Sequence, residues 1–569
     1  MLIKKMIKMQ TRIYITRLSI IISGILFLYT PAKAQEPSKK QTIEITSSFK
    51  PTLKDAAKIN FNAAPPVPDS ARPKFKYTIP VNSLALAYQP AAVTPAALHI
   101  DSTGSWAATN FIKLGYGNFQ TPYAQAGLTL DNKPNSSLNI LGHYISSKGS
   151  AVPRQQYADA GASAYGSTIN ANNQELYGKL GLSNKAYYLY GYDQTAYTHS
   201  KNELLQRFLG IDANIGFRNI DPTGFGLLYH PDVKVSFFND NHSNREFNVV
   251  GDVPLEKKIS DELSIKLGIN ADYTQFSPKS APSINNFIFT VPIAIKFKNE
   301  SLSIHGGAIP SWDNSNFKLL PDLMADVKLS GEEAILQFGW LMHYDKGSYQ
   351  RWASLNPYLA LPTTLFNTRI NETYGGLRGT FLEKFFYNAK VGLVQFYNMP
   401  LFVNDYATNT LNDGKTFVAL KDDKLNAFQI HGEAGVVQAE DFSLSAKFNW
   451  LMFGKQKTQQ QPWGIIPREL SAALRWKILK DLWFKSDLFF FEGAKYMNRS
   501  LGSETARSPV DLNAGLEFRV TKQFNLWLQA NNIFNNTYQR WNQYEIYGFN
   551  IMGGIVFNFD SFTKPLTKQ

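Results

Sequence analysis

The final stretch of the chain, Val510 to Phe559, constrains the fold most because its apolar and polar side chains alternate. From Val510 to Val520, one side holds Leu512, Ala514, Leu516, Phe518 and Val520, and the other holds Asp511, Asn513, Gly515, Glu517 and Arg519. Successive side chains of a strand point to opposite faces, so this strand has one apolar and one ionisable face. The pattern predicts a transmembrane β-barrel with lipid outside and water inside.

The same alternation recurs from Trp106 onward and predicts an all-β fold, an antiparallel transmembrane barrel of about 22 strands. The first six strands are expected to start near Trp106, Tyr123, Ser137, Glu175, Ala186 and Arg207, which leaves Lys148–Ser167 as a long loop. Short turns such as Ser330–Glu333 alternate with long loops such as Asn398–Lys424. Outer-membrane barrels have such short periplasmic turns and long extracellular loops. A soluble sandwich or propeller fits less well, since so many long strands carry charge on the inner face.

The closing segments NLWLQANNIFNNTYQRW (Asn525–Trp541) and YGFNIMGGIVFNF (Tyr547–Phe559) resemble the end of the TonB-dependent outer-membrane receptors. The resemblance implies a barrel in the outer membrane of a Gram-negative bacterium, of the Bacteroidota type, surrounded by outer-membrane lipid. It also implies that Phe549, Phe557 and Phe559 form a terminal signal for the barrel-insertion machinery. Residues 560–569 would then be a short periplasmic tail.

The first 34 residues are predicted to be a signal peptide. A basic start with Lys4, Lys5 and Arg12 precedes the apolar run Leu18–Tyr29 and the cleavage pattern Ala32-Lys33-Ala34. An uncleaved anchor helix is the alternative. Six of the positive charges lie in this segment, so the basic balance gives little support to a nucleic-acid partner. The absence of cysteine excludes disulfides and a lipid-anchored N-terminal cysteine.

Residues 35–104 form a Pro-rich segment, periplasmic or lumenal, and residues 105–559 the barrel. Pro65, Pro66, Pro68, Pro73 and Pro80 prevent a long helix or a central strand. The peptide QTIEIT contains Ile43, Glu44, Ile45 and Thr46 and resembles a TonB box. The resemblance implies that it pairs as an edge strand with TonB. A plain tail strand is the alternative.

Charged side chains on the inner faces of the barrel strands are the candidate functional residues. The residues expected to face the lumen are Lys266, Asp272, Lys447, Arg475, Lys477, Lys485, Asp487, Asp511, Glu517 and Arg519. These side chains either line a water-filled lumen or contact another element that fills the barrel. No catalytic or metal-binding motif is found in the sequence, so we expect no enzyme, no cofactor and no metal.

Aromatic side chains are frequent in the predicted extracellular loops: Tyr349, Trp352, Tyr358, Trp463, Tyr496, Tyr538, Trp541 and Tyr544. They suit stacking on sugars, packing against a protein lid, an interfacial girdle, or packing of the loops on one another. The sequence leaves these alternatives open.

The resembled receptors carry a globular plug of well over a hundred residues, whereas residues 35–104 are fewer and Pro-rich. The plug is therefore expected to be reduced or absent, and a barrel this wide needs closing by that segment, by its loops, or by a lid or plug partner protein. The favoured function is binding or importing a bulky ligand across the outer membrane. The alternatives are a non-transporting scaffold in an envelope secretion or assembly complex, and a diffusion porin.

Overall fold

The computed structural model describes residues 110–133, 135–149, 151–406, 413–438 and 441–559. These ranges contain two short helices, α1 at Lys201–Leu204 and α2 at Tyr349–Leu355. Within the described ranges, neither helix is long and apolar enough to cross a bilayer. Nearly all the remaining regular structure is β-strand.

Twenty-four strand segments form one sheet. They are β1 Asn110–Gly117, β2 Thr121–Lys133, β3 Ser136–Lys148, β4 Gln156–Ile169, β5 Gln174–Tyr188, β6 Leu205–Asn219, β7 Leu227–Tyr229, β8 Asp232–Asp240, β9 Arg245–Lys258, β10 Leu263–Ser277, β11 Ile284–Thr290, β12 Ile293–Lys298, β13 Leu302–Asp313, β14 Asn316–Ser330, β15 Ala334–Asp345, β16 Thr368–Phe381, β17 Phe385–Tyr397, β20 Leu425–Gln438, β21 Phe442–Phe453, β22 Arg468–Leu479, β23 Leu482–Phe491, β26 Val510–Arg519, β27 Phe524–Asn531 and β30 Asn550–Phe559. Three hairpins lie in the loops: β18 Met399–Asn404 with β19 Phe417–Asp422, β24 Lys495–Met497 with β25 Ser503–Thr505, and β28 Gln539–Trp541 with β29 Tyr544–Glu545.

The sheet closes into an antiparallel barrel because its first and last strands pair. In this pairing Ile112 lies opposite Phe557 and Gly115 opposite Gly554. Segments β7 and β8 both pair with β9, and β11 and β12 both pair with β10, so each couple is one interrupted barrel strand. The interruptions fall at Pro231 and Pro292, whose missing N–H cannot join the ladder. The barrel therefore has 22 strands, which confirms the predicted fold class.

One strand of the barrel was missed and one predicted strand does not exist, so the two errors cancel in the count. The stretch Lys148–Ser167 is not a loop, because it contains most of β4. No strand starts at Ala186, since β5 runs unbroken from Gln174 to Tyr188. The sequence of β4, QYADAGASAYGSTI, is rich in small residues, which gives little contrast between its two faces.

The outer surface of the barrel is apolar. In β10, Ile265, Leu267 and Ile269 are 43 %, 42 % and 47 % exposed, while the preceding Ser264 and the intervening Gly268 are buried. In β27, Leu526 and Leu528 are exposed and Trp527 between them is buried. A wide band of exposed Leu, Ile and Phe is stable in lipid and not in water, so these strands fit a membrane-spanning wall.

The two ends of the barrel differ in the length of their connections. At one end, the turn end, connections such as residues 331–333, 382–384 and 480–481 are short. At the other, the loop end, five long connections matter below: loop A (189–204), loop B (346–367), loop C (398–424, described apart from 407–412), loop D (454–467) and loop E (532–549).

Candidate functional site

Four of the long loops converge over the loop end of the barrel. Loop A joins β5 to β6, loop B joins β15 to β16, loop C joins β17 to β20, and loop E joins β27 to β30. The strand pairs of loops B and C are neighbours, because β16 pairs with β17, whereas those of loops A and E lie at separate places around the ring. Contacts among the four loops therefore cross the mouth of the barrel, and we call this assembly of loops A, B, C and E the cap.

Three tyrosines form the centre of the cap. Tyr358 of loop B stacks on Tyr544 of loop E with ring centroids 3.5 Å apart. Tyr190 of loop A meets both rings edge-on, at 6.2 Å from Tyr358 and 5.0 Å from Tyr544. The Tyr190 hydroxyl donates to the Glu545 backbone oxygen at 2.7 Å, and burial raises the pKa of Tyr190 to about 12. Three loops are thus joined through one aromatic cluster.

Loop C is attached to the cap through Phe402 and Phe417. Both rings lie with their centroids 5.5 Å from Trp541 of loop E. The Ala360 N–H of loop B donates to the Phe417 backbone oxygen at 2.7 Å, next to a β-bridge between Leu359 and Phe417. Backbone and aromatic contacts together fix loops B, C and E to one another.

Loops A and C are also linked by a buried polar cluster. Asp413, which is fully buried, accepts from the His199 Nε2 at 2.8 Å and from the Lys415 Nζ at 2.7 Å. Charge-assisted bonds of this kind are among the stronger polar contacts in proteins. The link is completed by Tyr544, whose hydroxyl donates to the Lys415 backbone oxygen.

Helix α2 anchors loop B to the barrel wall. The Tyr349 hydroxyl donates to Asp240 at 2.7 Å, and the N–H of Gln350 donates to Glu246 at 3.0 Å. The Lys346 ammonium donates to the backbone oxygens of Asp272 and Asn286. Burial lowers the pKa of Lys346, and the nearby Asp272 carboxylate acts against that shift.

A cavity of about 80 Å³ lies beside these loops, which we call the cap pocket. Its apolar lining includes Ile370, Phe396 and Phe402, and its polar lining includes Asp345, Glu469 and Arg540. Two indoles also line it, Trp463 of loop D, which is fully buried, and Trp541, which is 4 % exposed. Neither indole N–H has a hydrogen-bond partner among the described residues.

The charged residues predicted from the sequence lie along the barrel strands in small local pairs. Their contacts are Lys266–Glu256 at 3.9 Å, Asp272–Lys346 at 3.2 Å, Arg475–Asp487 at 3.0 Å, Lys477–Asp441 at 3.0 Å, Glu517–Asn525 at 2.6 Å, Arg519–Asp481 at 3.9 Å and Asp511–Tyr538 at 3.0 Å. Lys447 lies opposite Glu433 and Lys485 opposite Gly515 in the strand register. The structure thus spreads these groups along the wall, and a joint role in function stays a prediction.

The three phenylalanines of the predicted insertion signal are not clustered. Phe557 packs on Phe559 at 5.7 Å and on Phe524 at 4.8 Å, at the turn end. Phe549 precedes β30 at the opposite end. Their role in insertion stays a prediction. The residues of the TonB-box-like peptide, Ile43, Glu44, Ile45 and Thr46, lie outside the described residues.

Sequence reasoning named several cap residues but not their arrangement. Tyr349, Trp352, Tyr358, Trp541 and Tyr544 are all buried, which identifies packing of the loops on one another among the alternatives left open. Tyr190, His199, Phe402, Asp413 and Phe417 were missed. Their partners lie in other loops far along the chain, and the aromatic run at Tyr187–Tyr192 is the one local signal that pointed to loop A.

Comparisons with known proteins show the barrel fold alone. No protein-family model and no curated protein matches the chain. Among solved structures, a variant of the FrpB iron transporter from Neisseria meningitidis is 11 % identical with a TM-score of 0.60, covering 79 % of this chain and 81 % of that one. The ferric enterobactin receptor PfeA from Pseudomonas aeruginosa, in complex with enterobactin, is 11 % identical with a TM-score of 0.59 and covers 79 % and 81 %. The siderophore receptor PirA from Acinetobacter baumannii is 10 % identical with a TM-score of 0.60 and covers 79 % and 80 %.

Proposed function

We propose that this protein is an outer-membrane receptor of a Gram-negative bacterium that binds a bulky ligand at the loop end and imports it through the barrel. The observation that carries the proposal is a 22-strand barrel with an apolar outer wall and a mouth crossed by packed loops. The similar solved structures are described as an iron transporter and siderophore receptors. A barrel of this size is wide enough for a large solute once its mouth opens.

Energy for import is proposed to come from TonB, through the peptide at residues 41–46. The test is binding of a purified TonB periplasmic domain to the mature protein, with and without these residues. An extended peptide that adds a strand to its partner depends on its own backbone, so deletion should abolish binding. Deletion of residues 81–86, a stretch of equal length, is the control. Equal TonB affinity of both deletion variants contradicts TonB coupling.

Passage through the barrel is tested by locking the cap. The chain has no cysteine, so the double variant L359C/F417C introduces one defined pair of thiols. These positions form a backbone bridge, which places their Cα atoms within the range of a disulfide. In planar bilayers, a protein that lacks residues 35–100 and carries this pair should conduct when reduced and become silent when oxidised.

The single variant L359C, which cannot form the bridge within one chain, should conduct under both conditions. Silence of the double variant under both reducing and oxidising conditions contradicts passage through the barrel. That result favours a non-transporting scaffold, which needs no open path.

A further inference from the structure

A row of prolines crosses one side of the barrel wall. Six neighbouring barrel strands, from β7–β8 to β14, carry five prolines and one glycine at one level, which we call the proline row: Pro231, Pro254, Gly268, Pro292, Pro310 and Pro321. In the strand register Pro254 lies opposite Gly268, and Pro321 lies opposite Ala308. Proline is normally confined to edge strands and bulges, and a closed barrel has no edge. Departures from such rules are expected at functional places.

The proline row removes hydrogen bonds between these strands at a single level. In an antiparallel pair, two residues that face each other can exchange two N–H···O bonds. The bonds that remain here run from a backbone N–H to a proline oxygen: His230 to Pro254 at 3.1 Å, Gly268 to Pro292 at 2.8 Å and Val291 to Pro310 at 2.9 Å. Because proline has no N–H, none of these bonds has its reciprocal. The wall therefore bends at this level more easily than where both bonds form.

Loop B is attached to the wall on one side of the proline row only. The strand segments between the row and the loop end are β8, β11 and the upper parts of β9 and β10 (245–253 and 269–277), which we call the upper panel. Helix α2 and Lys346 contact all four segments: Asp240 of β8, Glu246 of β9, Asp272 of β10 and Asn286 of β11. Loop B and the upper panel are thus joined into one unit above a weakened level of the wall.

We propose that the proline row is a hinge, and that the upper panel turns outward about it and carries loop B away when the cap opens. The row runs across the strands, so bending at this level does not separate neighbouring strands and the barrel stays closed. In the closed cap the panel is held, because Tyr358 of loop B stacks on Tyr544 of loop E. The motion goes beyond the proposed import, since it requires neither a ligand nor TonB.

The test is double electron–electron resonance between two spin labels on the purified mature protein. The chain has no cysteine, so introduced pairs are labelled without background. F237C in β8 lies on the upper panel, and L470C in β22 lies nearly opposite in the ring of strands. The control pair is Y144C in β3 and L393C in β17, which also spans the ring and avoids the proline row. All four native side chains are exposed on the outer wall.

Y544A, which removes the ring that holds loop B, serves as the trigger. It should lengthen the distance between labels at F237C and L470C and leave the control distance unchanged. P254T and P292T each restore one N–H to the row, so each should reduce the lengthening when combined with Y544A. P122T, which replaces a proline of β2 outside the row, should leave the lengthening unchanged. A heat-modifiability gel verifies that each variant contains a folded barrel.

An unchanged distance between the first two labels in Y544A overturns the hinge, as does equal lengthening of the control pair. Lengthening that persists in full in both P254T and P292T places the bend outside the proline row and overturns the assignment. If neither proline variant folds, the two label pairs alone decide. These results are independent of the conductance of the locked and unlocked cap, so failure of the hinge and failure of the proposed import are distinguishable.

Discussion

Replacing Tyr544 with alanine is expected to open the cap while leaving the barrel intact. Tyr544 is 3 % exposed and touches three of the four loops at the mouth: its ring stacks on Tyr358, meets Tyr190 edge-on and lies 6.1 Å from Phe417. Its hydroxyl also donates to the Lys415 backbone oxygen. No barrel strand is built from this residue, since it belongs to the loop hairpin β28–β29.

The size of the effect follows from the contacts that are lost. Truncating a buried aromatic side chain to alanine costs about 3–5 kcal/mol. Since each 1.4 kcal/mol is a factor of ten, the open population of the cap should rise by roughly two to three and a half orders of magnitude. The variant Y544F keeps the ring and loses one hydrogen bond, which costs about 1 kcal/mol and should raise the open population only about fivefold.

Limited proteolysis of loop C on the purified protein measures this opening. When cleavage is slow relative to reclosing, its rate follows the open population, so the rate should rise strongly in Y544A and weakly in Y544F. Y165A removes a tyrosine that is exposed on the outer wall in β4, outside the cap, and should cleave like the native protein. Equal cleavage rates of loop C in Y544A and the native protein would falsify the role of Tyr544 as the centre of the cap.

Two further predictions concern pH and closure of the barrel. Burial raises the pKa of Tyr190 to about 12, whereas an exposed tyrosine titrates near pH 10. The stability of the cap should therefore be constant below about pH 10 and fall as the pH rises toward 12. A rate of loop proteolysis that stays constant from about pH 10 to 12 contradicts this prediction. A Cβ at Gly115 would lie 2.2 Å from the Trp527 ring at the seam between β1 and β30, so G115A should destabilise the barrel by about 1–3 kcal/mol. G432A, which meets nothing within 4 Å, should leave the unfolding temperature in a heat-modifiability gel unchanged, and equal temperatures for both variants would refute this reading of the seam.

The barrel could be predicted because the pattern that specifies each strand lies within a few neighbouring residues. A strand with one face in lipid must alternate, and residues such as Leu526, Trp527 and Leu528 display the alternation within three positions. Strand β4 shows where this rule fails. Its Ala, Gly and Ser residues are compatible with either face of a strand, so the two faces of β4 differ little in polarity and the alternation is not visible in the sequence.

The cap could not be predicted because its contacts are between loops. The stacking of Tyr358 on Tyr544 joins residues 186 positions apart, and the bond between His199 and Asp413 spans 214. Neither pair has a periodic pattern or a spacing that marks it. Sequence reasoning therefore identified aromatic loops correctly as a feature of interest, but it could not choose between a girdle, a ligand surface and loops packed on one another.

The ligand must be sought in the loops rather than in the wall. Barrel strands that agree with solved receptors at a TM-score of 0.60 share only 11 % of their residues, so the requirements of the wall are met by many sequences. The charged side chains of the wall, such as Arg475 and Asp487, are paired with each other and therefore provide little specificity for a ligand. Iron and siderophores, which the descriptions of the similar structures name, therefore do not carry over to this chain with the fold.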